Sequence, residues 1–309
     1  MEKAFRHLSR LNGFYFLKRV SLGVLWFIAT QATCQPPADQ NSTKTPQQIE
    51  ATVPAGETVW VHANGLRLKT KIYRSARLSA HPVLVVVLHG DLLGVRAIPP
   101  TTYHYVFAQQ ASTRMDDLVV AGLLRPGYRD DSGERSQGEQ GLTTGDNYTP
   151  EVVDAIAQVI DQLKARFRPS FTVLVGHSGG AAITGDLLGR WPSEVNAALM
   201  ASCPCDLVAW RKHMMQMRNN NPIWSAPVNS LSPIDLACKV PPSVRVRLLV
   251  GGDDSVAPPE LSQHYAQALR SHVNDVTLAI IPGLGHDILL EPPILNALST
   301  LVQSLKEGP

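Results

Sequence analysis

The sequence predicts an α/β fold: a mostly parallel eight-stranded sheet, flanked by helices and opened by an antiparallel hairpin. Three observations carry this. Apolar runs of strand length alternate with segments of helical periodicity along most of the chain. Several of those runs, "PVLVVVLHG" and "FTVLVG" among them, are apolar without alternation, as strands buried on both faces require. The first two strand-like stretches flank Asn64-Gly65, the two-residue signal of a tight hairpin. At 309 residues the chain is long enough to bury one large core.

The elements are justified in order. "ETVWVHANG" and "LRLKTKIYRS" form the hairpin. "PVLVVVLHG" is the third strand, and a helix follows around "TTYHYVFAQQASTR". "DDLVVAGLLRPGY" is the next buried strand. "TPEVVDAIAQVIDQLKARF" is a helix with Thr149 as N-cap and Pro150 at its first position, and Val152, Ile156, Val159, Ile160 and Leu163 recur on one face. "FTVLVG" runs into the helix "SGGAAITGDLLGRW". "VNAALMASC" and "VRVRLLVGG" are strands, "PPELSQHYAQALRS" a helix, "DVTLAIIPG" the last strand and "ILNALSTLVQSLK" the closing helix.

Before this body lie two segments of other composition. Residues 1–32 read as an export leader or signal anchor: Lys3, Arg6, Arg10, Lys18 and Arg19 stand against Glu2, then come the apolar "VSLGVLWFIAT" and small residues, with Thr30-Gln31-Ala32 approximating a cleavage site. Lipidation at Cys34 is the weaker reading, because Gln31-Ala32-Thr33 fits such a signal poorly. Residues 33–55 are polar and rich in Pro, Gln and Thr, and read as a flexible tether. The body, 56–309, is thus expected outside the cytoplasm, periplasmic or secreted, with the membrane touched only through an uncleaved N-terminus. The leader carries a charge of +4 and the remainder −2, and the net charge of +2 gives no argument for a nucleic-acid partner. In an oxidising compartment Cys203 or Cys205 is expected to bridge to Cys238. No ligand spacing supports a metal site, and no cofactor is expected.

Ligands of such sheets bind beyond the carboxyl ends of the strands. Those ends carry Ser178, then Gly252-Asp253-Asp254, then Gly285-His286-Asp287, in the chain order serine, acid, histidine. Gly176-His177-Ser178-Gly179-Gly180 matches G-x-S-x-G between a strand and a helix, the context that gives the pattern its value. A serine hydroxyl needs an adjacent base to attack a carbonyl, and His286 is the candidate. Asp254 is preferred to Asp253 as the acid that orients the imidazole, with Asp206 a third candidate. The backbone N–H groups of Gly179 and of Asp91 or Leu92 are the expected oxyanion donors. His89 is read as structural, packing under that loop.

Through "LHGD", "GHSGG", "GGDDSVAPP" and "PGLGHD", the chain resembles the α/β-hydrolase superfamily from about Glu57 to Leu305. The step from Asp254 to His286 looks like the prolyl-oligopeptidase-related (S9-type) branch and its esterase relatives. The resemblance implies Ser178 as nucleophile, Asp254 as acid, His286 as base and an oxyanion hole from Gly179 and Asp91. The chain carries HGDLLG where hormone-sensitive-lipase types carry HGGG. The expected activity is hydrolysis of a small-molecule carboxylic ester through an acyl-enzyme. An amidase or small-peptide hydrolase, and a non-catalytic binding protein on the same fold, are the alternatives. Residues 203–243 form a small cap insertion, in which Trp210, Met214, Met215 and Trp224 either line an acyl pocket or pack the cap. The long polar loop "RPGYRDDSGERSQGEQGLTTGDNY" offers Arg125, Tyr128, Arg135, Asp146 and Tyr148 to a polar or anionic part of the substrate, unless it satisfies itself.

Overall fold

The computed structural model describes residues 56–91, 102–193 and 195–307. The leader, the tether with Cys34, and Leu92 lie outside the described residues. Strands β1 (Glu57–Ala63) and β2 (Leu66–Arg74) pair antiparallel, with Ala63 opposite Leu66. Asn64 and Gly65 between them both take positive φ, 47° and 75°, as a two-residue hairpin turn demands. The sheet continues with β3 (Val83–Leu88), β4 (Leu118–Leu123), β5 (Phe171–His177), β6 (Ala197–Ala201), β7 (Arg245–Gly251) and β8 (Asp275–Ile281). Their spatial order is β1-β2-β4-β3-β5-β6-β7-β8, and every pair beyond β2–β4 is parallel.

Helices cover both faces. α1 (Tyr103–Arg114) and α7 (Pro292–Glu307) close one layer; α2 (Pro150–Phe167), α3 (Gly179–Arg190) and α6 (Pro259–Arg270) contribute to the other. The unbroken apolar run of β3 has its reason here. Leu84, Val86 and Leu88 enter one layer, while Val83, Val85 and Val87 enter the other. In α2 the Thr149 hydroxyl accepts the Val152 N–H at 3.4 Å, and Pro150 occupies a position whose N–H would have no partner. β8 departs from the buried-strand expectation. It is the sheet's edge, and Thr277, Ala279 and Ile280 are exposed.

Between β6 and β7 the chain leaves the sheet through α4 (Leu207–Met217) and the short α5 (Pro233–Leu236). The expected bridge to Cys238 is not formed here. Cys203 and Cys205 pair with each other across Pro204, with Cα atoms 5.1 Å apart, and Cys238 is an exposed free thiol. Residues two apart in non-helical chain project to one side, and this separation lies within the ordinary span of a disulfide.

Candidate active site

The site is assembled by three adjoining turns at one edge of the sheet. Ser178 follows β5, Asp254 stands three residues after β7, and His286 stands five after β8. With β6 between them, β5 and β7 are two strand spacings apart, roughly 10 Å. No direct bond between serine and acid spans that gap, and the imidazole of His286 fills it. Its Nε2 lies 2.9 Å from Ser178 Oγ, and its Nδ1 lies 2.9 and 3.0 Å from the two oxygens of Asp254.

Each turn is held by its neighbours. Ser178 takes φ 53° and ψ −122°, a conformation that costs on the order of 1–3 kcal/mol for a residue with a side chain. Its N–H donates to Ala201 O at 2.9 Å. The glycines around it permit a close crossing: a β-carbon at Gly176 would lie 2.6 Å from Ala181 Cα, and one at Gly180 would lie 2.6 Å from the Leu88 carbonyl carbon. The acid turn is tied to the histidine turn by Gly252 N–H to Ile281 O (2.8 Å) and Asp253 N–H to Leu284 O (2.9 Å). Oδ1 of Asp254 also accepts the N–H groups of Val256 and Ala257 at 2.9 and 2.8 Å. Burial alone would push this carboxyl up. The bond and charge of His286 and the Ala257 N–H outweigh it and hold Asp254 below the usual carboxylate range. Asp253 is exposed, and Asp206 caps α4 by accepting the Ala209 N–H at 2.9 Å, so neither competes for the imidazole.

Gly179 opens α3, where its N–H is one of the donors that a helix start leaves without an intrahelical partner. Asp91 lies against it: a β-carbon at Gly179 would fall 2.7 Å from both Asp91 Cγ and the Tyr148 hydroxyl. The Asp91 carboxylate accepts Arg125 Nη1 at 2.6 Å, the Tyr128 hydroxyl at 3.1 Å and the Tyr148 hydroxyl. Burial opposes the Arg125 charge, but Tyr128 and Asp91 more than compensate and keep it protonated. Burial, then Asp91, pushes both tyrosines well above their usual range. His89 is buried beneath, donating from Nδ1 to Gly90 O at 2.8 Å and accepting the Arg125 N–H at 3.0 Å.

The structure corrects the expected substrate contacts. Arg125, Tyr128 and Tyr148 are fully buried and directed at Asp91. They fix the turn that carries Asp91 rather than face a ligand. Trp210 is 4% exposed, donates to Val256 O at 2.9 Å and meets Trp224 edge-on at 5.4 Å, so it packs the cap onto the acid turn. Met214 is buried in the same core. Arg135 donates to Gly127 O, and Asp146 accepts the N–H groups of Leu142 and Thr144, so the long loop is largely self-bound. A cavity of about 410 Å³ lies beside α4, lined in part by Leu207, Met215, Trp224 and Val228. Sequence reasoning missed Ser202, whose hydroxyl donates to the carbonyl of His286 at 2.9 Å. Only its place one residue past β6 hints at that role.

Solved structures with this architecture identify the chain as having the α/β-hydrolase fold. It is similar to an esterase of Pyrococcus furiosus, at TM-score 0.60 and 12% identity, over 80% of this chain and 90% of that one. A proline iminopeptidase of Mycobacterium smegmatis matches at TM-score 0.59 and 14% identity, over 80% and 98%. The acylaminoacyl peptidase of Pyrococcus horikoshii matches at 0.60 and 14%, over 81% of this chain and 41% of that one. At such identities the likeness is one of fold alone. No protein-family model and no curated protein sequence matches the chain.

Proposed function

We propose that this protein is a serine hydrolase that cleaves small-molecule carboxylic esters through an acyl-enzyme. The observation that carries the reading is the hydrogen-bonded line from Ser178 Oγ through His286 to Asp254, both links near 2.9 Å. In the reaction Ser178 attacks the ester carbonyl while His286 Nε2 takes its proton. Asp254 keeps the imidazole in the tautomer with a bare Nε2 and stabilises the imidazolium that forms. The N–H groups of Gly179 and Asp91 receive the developing oxyanion. His286 then protonates the leaving alcohol, and a water, deprotonated by His286, releases the acid. The Ser178 backbone supports this further, since a strained turn is retained where it presents a nucleophile.

The reading includes export to the periplasm or medium. It rests on the leader pattern of residues 1–32 and gains support from the Cys203–Cys205 bridge, which an oxidising compartment sustains. The N-terminal sequence of the protein recovered from a periplasmic or culture fraction tests this, and recovery only from the cytosol overturns it.

The activity is tested with a fluorophosphonate probe on the wild type and on Ser178→Ala, beside p-nitrophenyl acetate, p-nitrophenyl butyrate and an aminoacyl anilide. Labelling that is lost in the variant, with ester turnover dominant, is expected. Dominant anilide cleavage would move the assignment to an amidase or small-peptide hydrolase. A folded wild type that neither labels nor turns over would leave a binding protein on this fold.

A further inference from the structure

Two side chains that the proposed chemistry does not use join the two halves of the site. Tyr103 opens α1, and His177 ends β5 directly before Ser178. His177 Nε2 lies 2.9 Å from the carbonyl oxygen of His286, and its Nδ1 lies 2.7 Å from the Tyr103 hydroxyl. That hydroxyl in turn receives the Gly90 N–H at 2.6 Å. Gly90 abuts the nucleophile: a β-carbon there would lie 2.8 Å from Ser178 Cβ.

The proton positions follow from the ends of this chain inward. A carbonyl oxygen only accepts, so His177 Nε2 carries a hydrogen and donates it to His286 O. Burial, and the neighbouring His286, push the His177 imidazole down to about 4, so near neutrality it is uncharged and its Nδ1 is bare. The Tyr103 O–H therefore donates to Nδ1, and its lone pairs are left to accept the Gly90 N–H. Every donor meets an acceptor in a single direction, from the Gly90 turn to the backbone of the base.

We propose that Tyr103 and His177 are positioning residues that hold the carbonyl of His286 in register with the turn at Gly90 and Asp91. The proposal rests on the reading of Ser178 as nucleophile and His286 as base. The imidazole is fixed at its outer nitrogen by Asp254, and its backbone is fixed by His177 and by Ser202. Losing the Tyr103 link frees His177 to shift its hydrogen to Nδ1, which removes the donor to His286. It also leaves the Gly90 N–H without its acceptor. Misplacement of a reacting group by about 1 Å can cost on the order of 100-fold. Because Ser202 still holds the same carbonyl, the loss here is smaller.

The test is Tyr103→Phe, His177→Gln and the double variant, assayed with p-nitrophenyl butyrate after each is shown to be folded. Tyr103→Phe is expected to lower kcat roughly tenfold with KM within about twofold, the size of one hydrogen bond lost from the transition state. The double variant is expected to be no slower than the slower single variant, because both break one chain. Nitrogen-15 NMR of the wild type should place the His177 proton on Nε2, and Tyr103→Phe should give a mixture of tautomers; a change in packing alone would not move this signature. An unchanged kcat in folded Tyr103→Phe, additive losses in the double variant, or a wild-type proton on Nδ1 each overturns the proposal. If Tyr103→Phe does not fold, His177→Gln alone decides by the same division of kcat and KM. Fluorophosphonate labelling separates the two levels. A wild type that does not label ends the serine-hydrolase reading and this proposal with it, while an active, labelled wild type with an indifferent Tyr103→Phe ends this proposal only.

Discussion

Asp253 and Asp254 are adjacent in sequence and opposite in surroundings. Asp254 is 3% exposed and touches His286 Nδ1, whereas Asp253 faces solvent. Asp254→Asn replaces an acceptor with an amide that pairs with the wrong imidazole tautomer. Turnover of p-nitrophenyl butyrate is expected to drop by roughly 10³–10⁴, while Asp253→Asn stays within about twofold. Equal losses would show that the acid is misassigned. Asp91 carries a second prediction. Its removal leaves Arg125, fully buried, without its counter-charge. Asp91→Ala is expected to destabilise the fold by about 3–5 kcal/mol in urea unfolding, and a loss under 1 kcal/mol would mean that the arginine finds another partner. The sequence pattern pointed at Asp91 through its backbone and at Arg125, Tyr128 and Tyr148 through substrate. It could not join them, because the bonds between them span 34, 37 and 57 residues. Nothing local marks a buried polar side chain that serves a distant carboxylate.

At the scale of elements, the parts visible beforehand were those fixed by local rules. The hairpin turn needs Asn64-Gly65, α2 needs its Thr-Pro start, and β3 must be apolar because both of its faces are covered. β8 has the same apolar look and a different position, and a strand's composition does not reveal whether it ends up at the edge. The cysteines failed for a related reason. Pairing depends on which side of the turn after β6 each side chain takes, and that turn is set by Ser202, at φ 51°, together with Pro204. The observed pairing has a simple consequence. With residues 1–55 removed, the denatured unreduced protein should show one reactive thiol per chain, from Cys238, and full reduction should raise this to three. Cys238→Ser should change stability by less than about 0.5 kcal/mol, since the thiol is exposed and unpaired. Three thiols before reduction would refute the bridge.

For the molecule as a whole, the line of serine, histidine and acid was legible because a parallel sheet gathers its strand ends along one edge, so the order serine, acid, histidine already implied a meeting place. The same burial that builds the site also sets how the protein responds to acid. His89, His104 and His177 are all buried with their imidazoles pushed down, chiefly by burial, and both ring nitrogens of His104 lack a hydrogen-bond partner among the described residues. In the unfolded chain each titrates near 6.5. Their folded values lie lower, that of His177 at about 4, so below about pH 6.5 the unfolded state binds more protons, and stability falls as pH falls. Asp186 works in the opposite sense. Its carboxyl is buried in α3 without a hydrogen-bond partner among the described residues, and burial, then Asp235, pushes it well above the usual range. The folded state therefore holds its proton where the unfolded state has lost it, and this contribution grows as pH falls. Three imidazoles against one carboxyl give a stability that slopes downward as pH falls. Urea titrations between pH 4.5 and 6.5 measure that slope directly. Asp186→Leu removes the opposing group together with a buried orphan carboxyl. It should raise stability at pH 7 and steepen the acid slope. A variant less stable at pH 7 with an unchanged slope would mean that Asp186 is ionised and partnered in the folded protein.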